Sequence, residues 1–282
     1  MTREALERLR DRSFRRLPRL RVRGERSALA FIEEVGFCST FHRLREPLPC
    51  LWVAVCGRRH PRFPKHTHSD PSVGLTWLLK DLLPSKKRVY YGKLLKGRPT
   101  LVSLSCFPAF FRLIRGEKGS GDYLGDYRAG RLTRAAKAVM DALLEKGPQY
   151  TPELREACRL KAPEQTREFE RAIAELQRGL WIVKTEERYE PSFSYRWDLL
   201  DHWLEEEVAA ARKLERTEAA YRVIKKYLET VHCSREEIIA RLFDLPAVEV
   251  EAGLGRLFSE GHAAPDQRVM GLPGRWIIRC LP

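Results

Sequence analysis

No two cysteines of this chain stand in a Cys-x-x-Cys pair, and no apolar run approaches the roughly 18 residues needed to cross a bilayer. The seven cysteines are an odd number, so neither a zinc ribbon nor a disulfide framework is expected, and most read as small buried hydrophobes. The first 26 residues alternate arginine with isolated leucines and never present an apolar stretch of about 7, which excludes a secretory signal peptide. These absences lead to the expectation of a cytoplasmic protein with no membrane association. Glutamine is also scarce, with only Gln149, Gln165, Gln177 and Gln267.

Charge is what the sequence has in excess. Its 52 Lys+Arg against 38 Asp+Glu give +14 over 282 residues. Residues 1–118 hold 26 basic and 10 acidic side chains, whereas the remainder holds 26 and 28, so the whole excess lies in the first part. Such a surface favours a polyanion, because each phosphate neutralised releases condensed counterions. Nucleic acid is therefore the leading expected class of partner. An arginine-rich solvated surface is the bland alternative.

The length allows two or three compact units. Residues 2–12 suit a short basic helix anchored by Leu6 and Leu9, and residues 26–37 a second one stopped at Gly36. The apolar runs 51–56 and 98–105 read as strands, residues 57–71 as a loop, 74–83 as a helix, 89–92 as extended and 107–114 as a short helix. Five glycines mark 116–130 as a linker. Beyond it, helix, short helix, longer helix and hairpin follow twice, which is the order of a winged helix-turn-helix. The expected fold is thus α+β, mainly α, with tandem winged-helix modules behind a basic mixed domain. Its boundaries are 1–118 for the basic N-terminal domain, 119–132 for the linker and 133–198 for the first module. A connecting helix at 199–216 and the second module at 217–282 complete it.

The segments ALAFIEEVGFCSTF, VGLTWLLKDLLPSKKRVYYGKLLKGRPTLVSL and TPELREACRL with FERAIAELQRGLWIVK resemble the AlkZ-like proteins. That bacterial group has tandem winged helices, and its characterised members are DNA glycosylases that remove bulky alkylated or cross-linked purines. The resemblance implies damaged double-stranded DNA as partner, base excision as activity and no cofactor. It also implies a Gln-hydrophobic-Gln or Gln-hydrophobic-Asp triplet after the glycine that ends the early helix. Here Gly36-Phe37-Cys38-Ser39-Thr40-Phe41 offers neither amide nor carboxylate. The alternative is a non-catalytic regulator or assembly factor that uses the winged helices for protein contacts.

Cleaving an N-glycosidic bond needs a positioned water and negative charge near the sugar, so Glu34 and Asp81 are the candidate catalytic residues. Glu34 is favoured over Glu33 because Ile32 and Val35 face the core. Lys80 and Asp81 are adjacent on a helix, so only one of them is expected to point into a cleft. Candidate nucleic-acid contacts are Arg15, Arg16, Arg58, Arg59, Lys80, Lys86, Lys87, Arg88, Lys93 and an outward Tyr91. Among the aromatics of the first part, Trp52, Phe110 and Phe111 read as core, while Phe63 and Trp77 belong to a set able to stack on a base. Cys56, His60, His66, His68 and Asp70 are ligand types within fifteen residues, yet the arginines among them repel a cation and no metal site is expected. The third helix of each module carries as many acids as arginines or more, which does not suit a major groove.

Overall fold

The computed structural model describes residues 1–41 and 44–280. An arm comes first, with helix α1 (Arg3–Ser13) capped by Thr2, whose hydroxyl accepts from the Ala5 N–H. Next come α2 (Glu25–Val35), β1 (Phe37–Ser39), α3 (Leu51–Cys56), α4 (Pro71–Ser85), β2 (Val89–Lys93) and β3 (Pro99–Ser103). Asp70 starts α4 by accepting from the N–H groups of Ser72 and Val73, and Pro71 occupies the first helical turn. Helices α5 (Phe107–Arg115) and α6 (Tyr123–Arg128) lead to a second series: α7 (Arg134–Lys146), β4 (Gln149–Tyr150), α8 (Thr151–Ala157), α9 (Thr166–Arg178), β5 (Ile182–Arg188) and β6 (Ser194–Leu199). After α10 (Leu200–Trp203) and α11 (Glu205–Arg212) the last series is α12 (Arg216–Val231), β7 (Cys233–Ser234), α13 (Glu236–Phe243), α14 (Ala247–Ser259), β8 (Ala263–Gln267) and β9 (Trp276–Arg279).

Among the described residues one pattern therefore occurs three times: helix, strand, two helices, two strands. Each copy closes into an antiparallel sheet in which the third strand lies between the other two, in the orders β1-β3-β2, β4-β6-β5 and β7-β9-β8. The sequence reading found two copies and took residues 1–118 as a different kind of domain. The first copy was hidden by Leu51–Cys56, which forms α3 instead of a strand. Five of those six residues are buried, and a short run buried all round carries no period that separates helix from strand. Gly57 ends the helix in the left-handed conformation, φ +63°. Residues 119–132 are likewise more than a linker, since α6 lies within them and Tyr123 packs into the core of the second copy.

A central core joins the copies. It contains Phe37, Tyr90 and Val102 of the first, Leu180 and Val183 of the second, and most of the apolar faces of α12, α13 and α14. Helices α5 and α11 run through it, contributing Phe107, Phe110, Phe111, Val208 and Ala211. The arm joins as well, because Phe14 reaches the central core and Leu6 packs on Cys233 and Val269 of the third copy. Arg10 fixes that docking by donating from Nε to the Val231 carbonyl and from Nη2 to that of Cys233, at 2.9 and 3.2 Å.

Gly36 sits where copies one and three meet. It holds φ +78°, and a Cβ there would lie 2.7 Å from Lys226 Cγ and 2.8 Å from Cys106 Sγ. Only glycine satisfies both the turn and the approach of α12.

Candidate nucleic-acid interface

The stretch after Gly36 is closed. Phe37, Cys38, Ser39 and Thr40 are all buried, and the Ser39 hydroxyl donates to the Pro49 carbonyl at 3.3 Å. Phe37 is held edge-on between Phe110 and Phe243, with centroids 5.1 and 5.6 Å away. The chain has no asparagine, and its four glutamines lie in the second and third copies. Beside this strand the Glu33 carboxylate accepts from the Ser105 hydroxyl. Glu34, the candidate from the same helix, is exposed and pairs with Arg15 at 3.1 Å.

The arginines proposed for phosphate contact divide into two groups. Arg15 donates to Glu34 and to the Ser27 carbonyl. Arg16 pairs with Glu7 at 2.7 Å, and Arg59 embraces Asp11 at 2.7 Å with Glu4 at 3.1 Å. Arg16 and Arg59 line a cleft of about 600 Å³ between the arm and residues 44–60, where Glu7 and Glu4 offset their charge. Lys86 holds Glu25 at 2.8 Å, and the Lys87 ammonium lies 4.4 Å from the centre of the Trp203 ring. By contrast Arg58, Arg88 and Lys93 are exposed with no ion pair among the described residues, as are Arg62 and Lys65.

Arg58, Arg62 and Lys65 lie on the loop between α3 and α4, which also presents aromatic surface. Phe63 is 53% exposed and Trp77 of α4 is 39% exposed. Phe41 touches both, with centroids 6.3 and 6.0 Å away, while Trp52 backs Phe63 at 5.0 Å and His68 leans on Trp77 at 5.7 Å. The remaining aromatics, Trp52, Tyr90, Phe107, Phe110 and Phe111, are core. Among the described residues no three potential metal ligands converge, in this loop or elsewhere.

Three predicted residues meet at the seam between copies one and two. Lys80 Nζ lies 2.5 Å from Asp81 Oδ1, so both reach one site, against the expectation that adjacent helical positions diverge. A lysine stem long enough to curl over the helix removes that objection. Lys184 of β5 donates to the same Asp81 oxygen at 2.8 Å and to Glu187 Oε1 at 2.6 Å. Both ammonium groups lie over the face of Tyr91, at 5.8 and 5.0 Å, so this tyrosine is turned into the seam and half-buried. Burial raises the Asp81 pKa, and the neighbouring Glu187 carboxyl adds to that against the pull of Lys184. Glu187 moves the other way: burial opposes the shift, but hydrogen bonds from Lys184 and Asp81 hold it below its ordinary value.

The seam opens into a cleft of about 380 Å³, with Trp77, Leu78 and Asp81 on one wall and Lys184, Glu187 and Tyr189 on the other. Tyr189 caps Glu187 through a 2.8 Å hydrogen bond and starts a row of rings, Tyr189, Phe193 and Tyr195, along the β5–β6 hairpin. Sequence reasoning singled out neither Lys184 nor Tyr189. The one signal was a lysine directly following the apolar pair Ile182-Val183.

Three linked copies of one α+β unit, built around a shared centre, define the class of protein. Within it the chain belongs to the AlkZ-related family, whose model matches residues 22–244. It is also similar to a solved structure, the Streptomyces sahachiroi DNA glycosylase AlkZ, with a TM-score of 0.54 and 16% identity over 95% of this chain and 69% of that one. At this identity the likeness establishes the fold. No curated protein matches the sequence.

Proposed function

We propose that the protein is a DNA-binding member of its family, built from winged helices and directed at damaged or distorted duplex. The observation that carries this reading is the confinement of the entire positive excess to the first 118 residues. There Arg58, Arg62, Lys65, Arg88 and Lys93 stand exposed without ion pairs among the described residues. Lys86 and Lys87 extend that surface. Arg15, Arg16 and Arg59 contribute field more than contact, because carboxylates already hold them. The order helix, strand, two helices and two-stranded wing supports the winged-helix assignment of each copy. Titrating a duplex across ionic strength tests the proposal: affinity is expected to fall about 10³-fold or more between roughly 50 and 200 mM salt. A flat profile would overturn it.

The structural relative is named a DNA glycosylase. For this chain the Asp81–Glu187 pair is the proposed centre, with a carboxylate to steady an oxocarbenium-like sugar. Glu34 is exposed and salt-bridged. The second reading, a non-catalytic regulator, is favoured by one observation, the burial of Phe37–Ser39 where the family resemblance expects a water-positioning triplet. A glycosylase assay on alkylated and cross-linked duplexes separates the two. Base release abolished by Asp81→Asn supports excision, whereas tight binding with no release supports the regulator.

A further inference from the structure

The seam between the first and second copies brings together an aromatic rim, a polar floor and a cationic flank. Its rim includes two aromatic side chains that line the same cleft, Trp77 of α4 and Tyr189 of the β5–β6 hairpin. Its floor is polar but close to neutral, since Lys80 and Lys184 offset Asp81 and Glu187. Its flank carries exposed rings and cations, Phe63 with Arg62 and Lys65, on the loop that leads into α4. A phosphate has no reason to enter a floor that already holds two carboxyls. A flat, neutral heterocycle with a hydrogen-bonding edge matches it, and the cations outside suit the backbone to which such a ring would be attached.

We infer that this cleft receives an unstacked nucleobase, held between Trp77 and Tyr189 with its exocyclic amino group toward the Asp81–Glu187 carboxyl pair. The inference rests on the DNA-binding reading and names where an extrahelical base would go. Its volume of about 380 Å³ falls in the lower part of the range for small-molecule sites, roughly 300–1,000 Å³. Both walls are already braced, because Lys184 of the second copy ties down Asp81 of the first. The receptacle is thus formed before DNA arrives. Tyr189 is 69% exposed despite its bond to Glu187, which leaves its ring face open to a stacking partner.

The test compares the full-length protein's affinity for a duplex carrying one unpaired adenine bulge with that for the fully paired duplex, at one ionic strength. The bulged duplex is expected to bind roughly tenfold more tightly, the size of one base–aromatic stack. Tyr189→Ala and Trp77→Ala are each expected to bring the ratio close to one while leaving the salt dependence on paired DNA unchanged. Tyr189 lies on an exposed hairpin, so its variant keeps the test valid even where loss of Trp77 harms the fold. Equal affinities in the unaltered protein would overturn the cleft and leave DNA binding standing. A preference that survives both variants would overturn the assignment to this cleft. Failure to bind either duplex would overturn both readings.

Discussion

His232 ends α12 in the left-handed conformation, φ +63°, with both ring nitrogens buried and no hydrogen-bond partner among the described residues. Burial lowers its pKa to about 4, and the positive charges of Arg279 and Arg10 add to the effect. In the unfolded chain the ring takes a proton near its ordinary 6.5, so between these values the unfolded form binds a proton that the folded form refuses. The contribution is fully present above about 6.5 and is lost as pH falls through about 4. Urea unfolding at about pH 7.5 and about pH 5 should differ by roughly 2 kcal/mol from this group. His232→Asn keeps a residue that tolerates the left-handed region and should remove that share of the pH dependence. At Gly36 the expectation is steric. Gly36→Ala should cost about 1–3 kcal/mol in thermal unfolding, because φ +78° strains a side chain and Lys226 and Cys106 occupy its space.

At the scale of elements, the arm changes most between sequence and structure. Ten arginines between Arg3 and Arg26 suggest a phosphate-contacting arm docked through one apolar pair, Leu6 and Leu9. In the fold Leu6 is buried on the third copy, Leu9 is half-buried, and Arg10 is spent on two carbonyls. Leu6→Ala is therefore expected to lower stability by about 2–5 kcal/mol while leaving the salt slope of DNA binding in place. Unchanged melting with a flatter slope would return the arm to a phosphate-binding role. The elements that were legible carry local signals: Thr133 accepts from the Ala136 N–H to start α7, and Gly36 stops α2. Leu51–Cys56 carries none, being six apolar residues with no period, and misreading it concealed the first copy. The seam was legible only in part. Lys80, Asp81 and Tyr91 lie close together in sequence, but Lys184 is 103 residues from Asp81, and charge patterning along one helix or strand cannot pair residues so far apart.

For the whole molecule the question is whether three copies of one unit melt as three or as one. A chain of independent modules would show separate transitions, each governed by its own core. Here Phe37 from the first copy and Phe243 from the third interlock with Phe110 of the linking helix α5, at 5.1 to 6.2 Å. Arg115, on the same helix, donates to the Leu180 carbonyl at 3.0 Å and lies 3.4 Å from the centre of the Trp181 ring, which ties in the second copy. Burial brings the pKa of that guanidinium down to about 10, a sign of how far the joint is removed from water. One cooperative transition is therefore expected, with calorimetric and van 't Hoff enthalpies in agreement. Phe37→Gln sharpens the test, because it places an amide where the family resemblance looks for one. With Phe110 and Phe243 around it the amide meets no partner, so the variant should lose about 3–5 kcal/mol across the whole transition without gaining base release. Loss confined to an early, partial transition would show that the copies are energetically separate. Base release by a stably folded Phe37→Gln and not by the unaltered protein would show that the closed strand is the obstacle to excision.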